Sequence, residues 1–389
     1  MSKYIVVGNT SDSSVAIDLA RLMGLAIDVS DLVSLKLYSN SEFCPRFIGQ
    51  NPDTETIGEV LKDTTVVIVS TTSNLIERNS LAMRNMILSR AAKDNGAERV
   101  ILFEPDLYYS AQDRGPKRYG ADEADRDDKD LKKFNGQPFT AKLYAELLKQ
   151  SGVDTVVTIH NHSYKVQDLF RATFGDDQFH NLIPAEVYSD YIKRSDMLQC
   201  GKDGDNLVLC APDKGAVPFV KMVHEALNLP ECKMITLAKE RSGERNVSMT
   251  VDPSSPTTLE EIKGKDIIVL DDMVRTGTTI VQCCEMLANC ETGKVCFGVT
   301  HFYTSSEARE NLNTPHIHEI LTSNSIPTIL NRDEQGRLRR KLVVLKVGKW
   351  VADYLLNDIL GEDDPRYEKD LYSIDMSSQN KRWPPPQGN

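Results

Sequence analysis

The chain has 389 residues, 40% of them hydrophobic and 26% charged, with a net charge of -11. That length exceeds one ordinary domain and suits two, each able to bury its own core. The acidic balance argues against a nucleic-acid partner, whose phosphates call for Lys and Arg, and the lack of any run of ~18 uninterrupted apolar residues argues against a membrane span.

Eight cysteines form no CxxC pair and no zinc-type cluster. Reduced core thiols and a cytoplasmic location are therefore expected. The opening MSKYIVVGNT runs straight into an apolar segment and reads as a first strand rather than a targeting peptide. Short runs rich in Val and Ile predict strands at 4–7, 66–70, 99–103, 155–159, 207–210, 267–270, 295–300 and 342–345. Between them, helical periodicity predicts helices at 16–25, 81–94, 138–150, 217–227 and 278–288. In the third of these, Leu143, Tyr144, Leu147 and Leu148 are expected to form one buried stripe, with Pro138 in the first turn. Such alternation predicts an α/β protein with mostly parallel sheets flanked by helices. The halves are expected to meet near residue 165, giving domains 1–165 and 166–360. Residues 120–135 are crowded with charge and read as an exposed loop, and 361–389 as a polar tail, disordered or bound to the surface.

The most informative stretch is 265–280, KDIIVLDDMVRTGTTI. An apolar strand ends in Asp271 and Asp272, and a turn through Arg275, Thr276, Gly277, Thr278 and Thr279 opens a helix. Carboxylates at a strand's carboxyl end can accept hydrogen bonds from two vicinal ribose hydroxyls. Gly277 permits close backbone approach, and amides at a helix N-terminus face an anion. The three threonines add hydroxyl donors. Together these suit a ribose 5-phosphate, in the place where ligands of open α/β sheets sit. The plainer alternative is a βα turn that happens to carry two acids and a Gly.

This segment resembles the phosphoribosyl-binding motif shared by type I phosphoribosyltransferases and ribose-phosphate pyrophosphokinases. Other segments are similar to the pyrophosphokinases alone. Ala111-Gln112-Asp113-Arg114 resembles their Arg-Gln-Asp nucleotide segment, and Pro138-Phe139-Thr140-Ala141-Lys142-Leu143 a helix start of theirs. His162, in Thr158-Ile159-His160-Asn161-His162, stands at their metal-binding histidine. Asp213, in Ala211-Pro212-Asp213-Lys214-Gly215, stands at an aspartate that helps place magnesium. Lys239 and Arg241 match the Lys-x-Arg that opens their catalytic flexible loop. Tyr38, Asn40 and Glu42 match a segment reaching adenine from a neighbouring subunit. Each piece also has a plainer reading: Tyr38 as a strand-end aromatic, Gln112 and Asp113 as a surface turn, His162 as a core histidine, Lys239 and Arg241 as a solvated loop. The match continues through Thr322–Pro327 and Val347-Gly348, so the resemblance spans roughly residues 39–359.

What the resemblance implies is two phosphoribosyltransferase-like domains, with the nucleotide bound by the first and the ribose 5-phosphate loop in the second. It further implies Mg2+ as cofactor, ATP and ribose 5-phosphate as substrates, and a homo-oligomer of dimers assembled into hexamers or similar. Lys239 and Arg241 would be catalytic, and His162 and Asp213 would serve the metal. There is no GxxxxGK[ST] in the chain, so a Walker loop is excluded as the ATP site. Arg275 stands where much of the family has Asp, and the plant-type class of the family also lacks an acid there. Ala111 replaces an Arg and Asn40 an Asp, which bears on nucleotide choice. The alternatives are a catalytically weak regulatory paralogue and a phosphoribosyltransferase, the latter leaving the first domain without a purpose.

Overall fold

The computed structural model describes residues 3–26, 29–49, 56–116, 126–242, 246–362 and 370–375, without side chains for 240–242 and 246–248. It divides into two compact units, 1–182 and 183–389. In the first unit, strands β1 (Tyr4–Gly8), β4 (Thr65–Val69), β5 (Arg99–Phe103), β6 (Thr155–Ile159) and β7 (Phe179–Leu182) form one parallel sheet in that order. The first four are buried along almost their whole length, which is why they read as continuous Val and Ile runs rather than alternating ones. A separate antiparallel hairpin joins β2 (Val33–Leu37) to β3 (Phe43–Phe47).

The expected division near residue 165 differs from the observed one. The helix Tyr164–Phe174 and strand β7 follow it, and β7 pairs parallel with β6, so both belong to the first unit. The buried stripe also needs correction. Tyr144 and Leu148 are buried with Ala141 and Ala145, but Leu143 is 50% and Leu147 37% exposed. Positions 141, 144, 145 and 148 follow the i, i+3, i+4, i+7 rule, whereas 143 and 147 fall on the far side of the helix. That helix spans Thr140–Ser151, so Pro138 precedes it rather than lying in its first turn. Of the charged segment, residues 117–125 lie outside the described residues, and Asp128–Lys133 is a short helix rather than loop.

The second unit holds an eight-stranded sheet. Its strands are β8 (Leu207–Ala211), β9 (Lys233–Ser242), β10 (Asn246–Val251), β11 (Asp266–Val274), β12 (Val295–Phe302), β13 (Ile320–Ser323), β14 (Leu342–Lys346) and β15 (Ser373–Ile374). Their order is β10-β9-β8-β11-β12-β13-β14-β15. From β9 to β14 the strands run parallel, and β10 and β15 add antiparallel edges. The chain leaves β8 toward β9 on one side and returns as β11 on the other. The order therefore reverses between β8 and β11, and a ligand crevice is expected beyond their carboxyl ends.

The tail is docked where it is described. Strand β15 pairs with β14, the Trp350 amide donates to the Leu371 carbonyl at 3.0 Å, and the Tyr372 hydroxyl donates to Asp190 at 3.0 Å. The rest of the tail, 363–369 and 376–389, lies outside the described residues. All eight cysteines are free thiols, five of them buried. Among the described residues no helix is long and apolar enough to cross a membrane.

Candidate functional site

Strand β11 carries the acid pair beyond the buried run Asp266–Leu270, and both acids are half-buried. The Asp272 amide donates to Asp271 Oδ1 at 2.9 Å, and the Met273 amide donates to Asp272 Oδ1 at 2.8 Å. Burial, then the neighbouring Asp272 and more weakly Asp213, hold the Asp271 carboxyl well above the usual range. Two carboxylates this close resist sharing two full charges, so the pair is primed for hydroxyl donors or a cation.

After β11 the turn reaches Gly277 at φ +78°, from which the helix Thr278–Ala288 departs. No side chain caps that helix, so its first amides stay open toward the turn. Gly277 is required twice over. Its φ lies in the left-handed region, and a Cβ there would meet Leu312 Cγ at 2.9 Å. Arg275, Thr276 and Thr278 are exposed around the turn, Thr279 is half-buried, and the Arg275 guanidinium lies 5.9 Å from the Tyr303 ring. Two side chains that sequence reasoning missed brace the turn from behind. Ser305 Oγ donates to the Arg275 carbonyl at 2.9 Å, and Asn311 Nδ2 donates to the Thr276 carbonyl at 2.8 Å.

Asp213 follows β8 directly, on the other side of the reversal point, and is exposed. Its Oδ1 accepts from the Gly215 amide at 2.9 Å, which fixes the loop. Lys239 and Arg241 were expected in a loop, but they lie on β9, opposite Met249 and Val247 of β10. Lys239 is exposed, and the Arg241 side chain lies outside the described residues. Beneath the site the buried Cys283 thiol is pushed up to about 12, chiefly by burial and then by Asp271, with Lys239 opposing and Asp213 adding. Asp271, Lys239 and Asp213 thus all act on that one buried thiol in the helix that begins at Thr278. Among the described residues no three His, Cys, Asp or Glu side chains form a metal cage.

In the first unit, Asp113 Oδ2 accepts from Ser163 Oγ at 2.9 Å, and the Gln112 carbonyl accepts from the Ala141 amide at 3.3 Å. Ser163 also caps the helix Tyr164–Phe174 and directly follows His162, which is exposed past the end of β6. Gln112, Asp113 and His162 are therefore brought together, with Ser163 as a link that sequence reasoning missed. Tyr38, Asn40 and Glu42 stand apart at the tip of the β2–β3 hairpin. Tyr38 is 44% exposed, and the Glu42 amide donates to Asn40 Oδ1 at 3.2 Å.

The segment leading to Gln112 and Asp113 follows a buried acid. Glu104, fully buried just past β5, accepts from the Tyr108 amide at 2.6 Å, from Ser70 and Tyr144 hydroxyls at 2.9 Å, and from Asn85 at 2.8 Å. Farther along, Arg114 pairs with Asp130 at 2.9 Å and joins the short charged helix to the same segment.

Residues 191–320 match the model of the phosphoribosyl transferase domain. Ribose-phosphate pyrophosphokinase 4 of Saccharomyces cerevisiae is 27% identical over 327 residues, covering 84% of this chain and 85% of that protein. Ribose-phosphate pyrophosphokinase 2 of the same yeast is 28% identical over 278 residues, covering 72% and 76%. In fold, the chain is similar to the crystal structure of a phosphoribosylpyrophosphate synthetase from Mycobacterium smegmatis. That likeness has a TM-score of 0.68 and 19% identity, and covers 92% of this chain and 99% of the other.

Proposed function

The chain belongs to the ribose-phosphate pyrophosphokinase family, and we propose that it transfers the β,γ-pyrophosphoryl group of Mg-ATP to O1 of ribose 5-phosphate. The products are phosphoribosyl pyrophosphate and AMP. The observation that carries this reading is the twin carboxylate on β11 followed by an uncapped, threonine-lined turn beside the sheet's reversal point.

In this reading the turn from Arg275 to Thr279 grips the 5-phosphate through its amides and hydroxyls. Asp271 and Asp272 accept from the vicinal ribose hydroxyls, which leaves O1 presented for in-line attack on the β-phosphorus. Fixing the nucleophile in this way removes up to ~7–11 kcal/mol of barrier in well-oriented cases. Lys239 and Arg241 stabilise charge growing on the transferred group and on departing AMP. Gln112 and Asp113 hold the nucleotide, and the exposed tip bearing Tyr38, Asn40 and Glu42 reaches adenine in a second copy. Asp213, an exposed oxygen donor at a strand end, fits Mg2+, which takes few protein ligands and keeps several waters. His162, an exposed nitrogen donor of the first unit, is proposed as a further metal contact, and one through water would suit a nitrogen beside so hard an ion. Once bound, the ion neutralises charge on the phosphate oxygens.

One incubation tests the reaction: ribose 5-phosphate, ATP and Mg2+, with AMP measured. AMP release that requires the sugar is the expected result. No AMP from ATP, GTP or CTP would replace this reading with that of a regulatory paralogue. Within the active enzyme, Gly277→Ala forces a Cβ into Leu312 at a left-handed φ. It is expected to cost about 1–3 kcal/mol of stability and to raise the KM for ribose 5-phosphate more than that for ATP, as read from thermal denaturation and two substrate titrations.

A further inference from the structure

We infer that Asn311, assisted by Ser305, is a positioning residue that aims the backbone amides of the phosphate turn at the sugar's 5-phosphate. The inference rests on the reading above and names what holds its binding turn in shape. Neither residue lies on the turn or on β11. Both come from the segment after β12, Ser305 as the cap of the short helix Ser306–Leu312 and Asn311 within it.

Three consecutive carbonyls of the chain entering the turn are tied to that segment. The Val274 carbonyl accepts from the Tyr303 amide at 3.1 Å. The Arg275 carbonyl accepts from Ser305 Oγ at 2.9 Å, and the Thr276 carbonyl accepts from Asn311 Nδ2 at 2.8 Å. A planar trans peptide points its N–H opposite to its C=O. Holding these carbonyls toward the helix Ser306–Leu312 therefore turns the amides of Arg275, Thr276 and Gly277 the other way, to the exposed side of the turn. Among the described residues, neither the Thr276 nor the Gly277 amide has an acceptor. Leu312 closes the same contact by filling the space that Gly277 leaves for it.

Without these donors, the two peptides before Gly277 are free to rotate, and the amide array loses its fixed aim. Binding of the phosphate would then have to order the turn, at a cost in affinity. Because the 5-phosphate stays bound through the reaction, this loss is equal in ground state and transition state. It should appear in KM and not in kcat.

The test uses Asn311→Leu, which keeps bulk without a donor or a new charge, alongside Ser305→Ala and Ser305→Thr. Ribose 5-phosphate binding is measured by calorimetry on the full chain, with KM for each substrate, kcat and the melting temperature. Asn311→Leu is expected to weaken ribose 5-phosphate binding and raise its KM roughly tenfold, the size of one hydrogen bond. Its kcat and the KM for ATP should stay within about twofold. Ser305→Ala should act alike, and Ser305→Thr, which restores the hydroxyl, should recover wild-type affinity. If Asn311→Leu fails to fold, the Ser305 pair carries the same comparison. Unchanged sugar-phosphate affinity in a folded variant, or a fall in kcat at constant KM, overturns the inference. A wild-type chain that does not bind ribose 5-phosphate overturns the proposed function itself and this inference with it.

Discussion

Replacing Lys239 with Ala is expected to lower turnover about 10²–10³-fold, the loss seen when one preorganised charge stabiliser is removed. Ribose 5-phosphate binding should remain. Lys239 is exposed on β9, two residues past the buried Leu237, and its charge is felt by the buried Cys283 together with those of Asp271 and Asp213. It lies on β9, one strand removed from β11 across β8, and outside the turn from Arg275 to Thr279. On the proposed reaction, a cation there would do little in a sugar-bound ground state and would act once negative charge grows on the transferred group. Stopped-time AMP release at saturating substrates, with calorimetry for the sugar phosphate, measures both quantities. Unchanged turnover would remove the β9 hairpin from the mechanism.

The second large effect concerns stability and pH. Glu104 is wholly buried and receives four hydrogen bonds, an arrangement suited to an ionised carboxylate. Burial nevertheless outweighs the donations from Tyr108, Ser70 and Tyr144 and lifts its pKa from 4.5 to about 7, with a minor push from Asp106. A folded-state pKa above the unfolded one means the native state binds the proton more tightly. The resulting stability is full below pH 4.5 and is lost as pH rises through about 7. Between pH 5 and pH 8 this group alone should lower the unfolding free energy by about 2–3 kcal/mol. Glu104→Gln, which resembles the protonated form, should remove that slope, so the wild type and the variant converge as pH falls and the variant is the more stable above pH 7. Glu104→Ala strands the donors of Ser70, Asn85, Tyr144 and Tyr108 and is expected to cost about 3–5 kcal/mol. Urea unfolding across that pH range checks all three, and parallel profiles for wild type and Glu104→Gln would contradict the account.

Much of the scaffold was legible in the sequence because the central strands are buried on both faces. β4, β5, β6 and β12 read as apolar runs, and each was expected within a few residues of its observed place. The elements that escaped notice lack this signal. β2 and β3 alternate poorly and contain Pro45 and Arg46, β7 carries His180 and Asn181 in four residues, and the β9–β10 hairpin is interrupted by Lys239, Glu240 and Arg241. Those charges read as loop, although Lys239 is carried exposed on the strand itself. The acid pair and the turn were legible because their chemistry is contiguous in sequence. Ser305 and Asn311 were not, since their role depends on folding a later helix against the turn. Glu104 likewise sits in a sequence, FEPD, that says nothing of the three hydroxyl and amide side chains waiting around it.

A crystal of the protein soaked with ribose 5-phosphate tests the central claim most directly. The account predicts phosphate density against the amides from Arg275 to Thr279, with the ribose hydroxyls on Asp271 and Asp272. Sugar phosphate bound elsewhere, with that turn left empty, would contradict it.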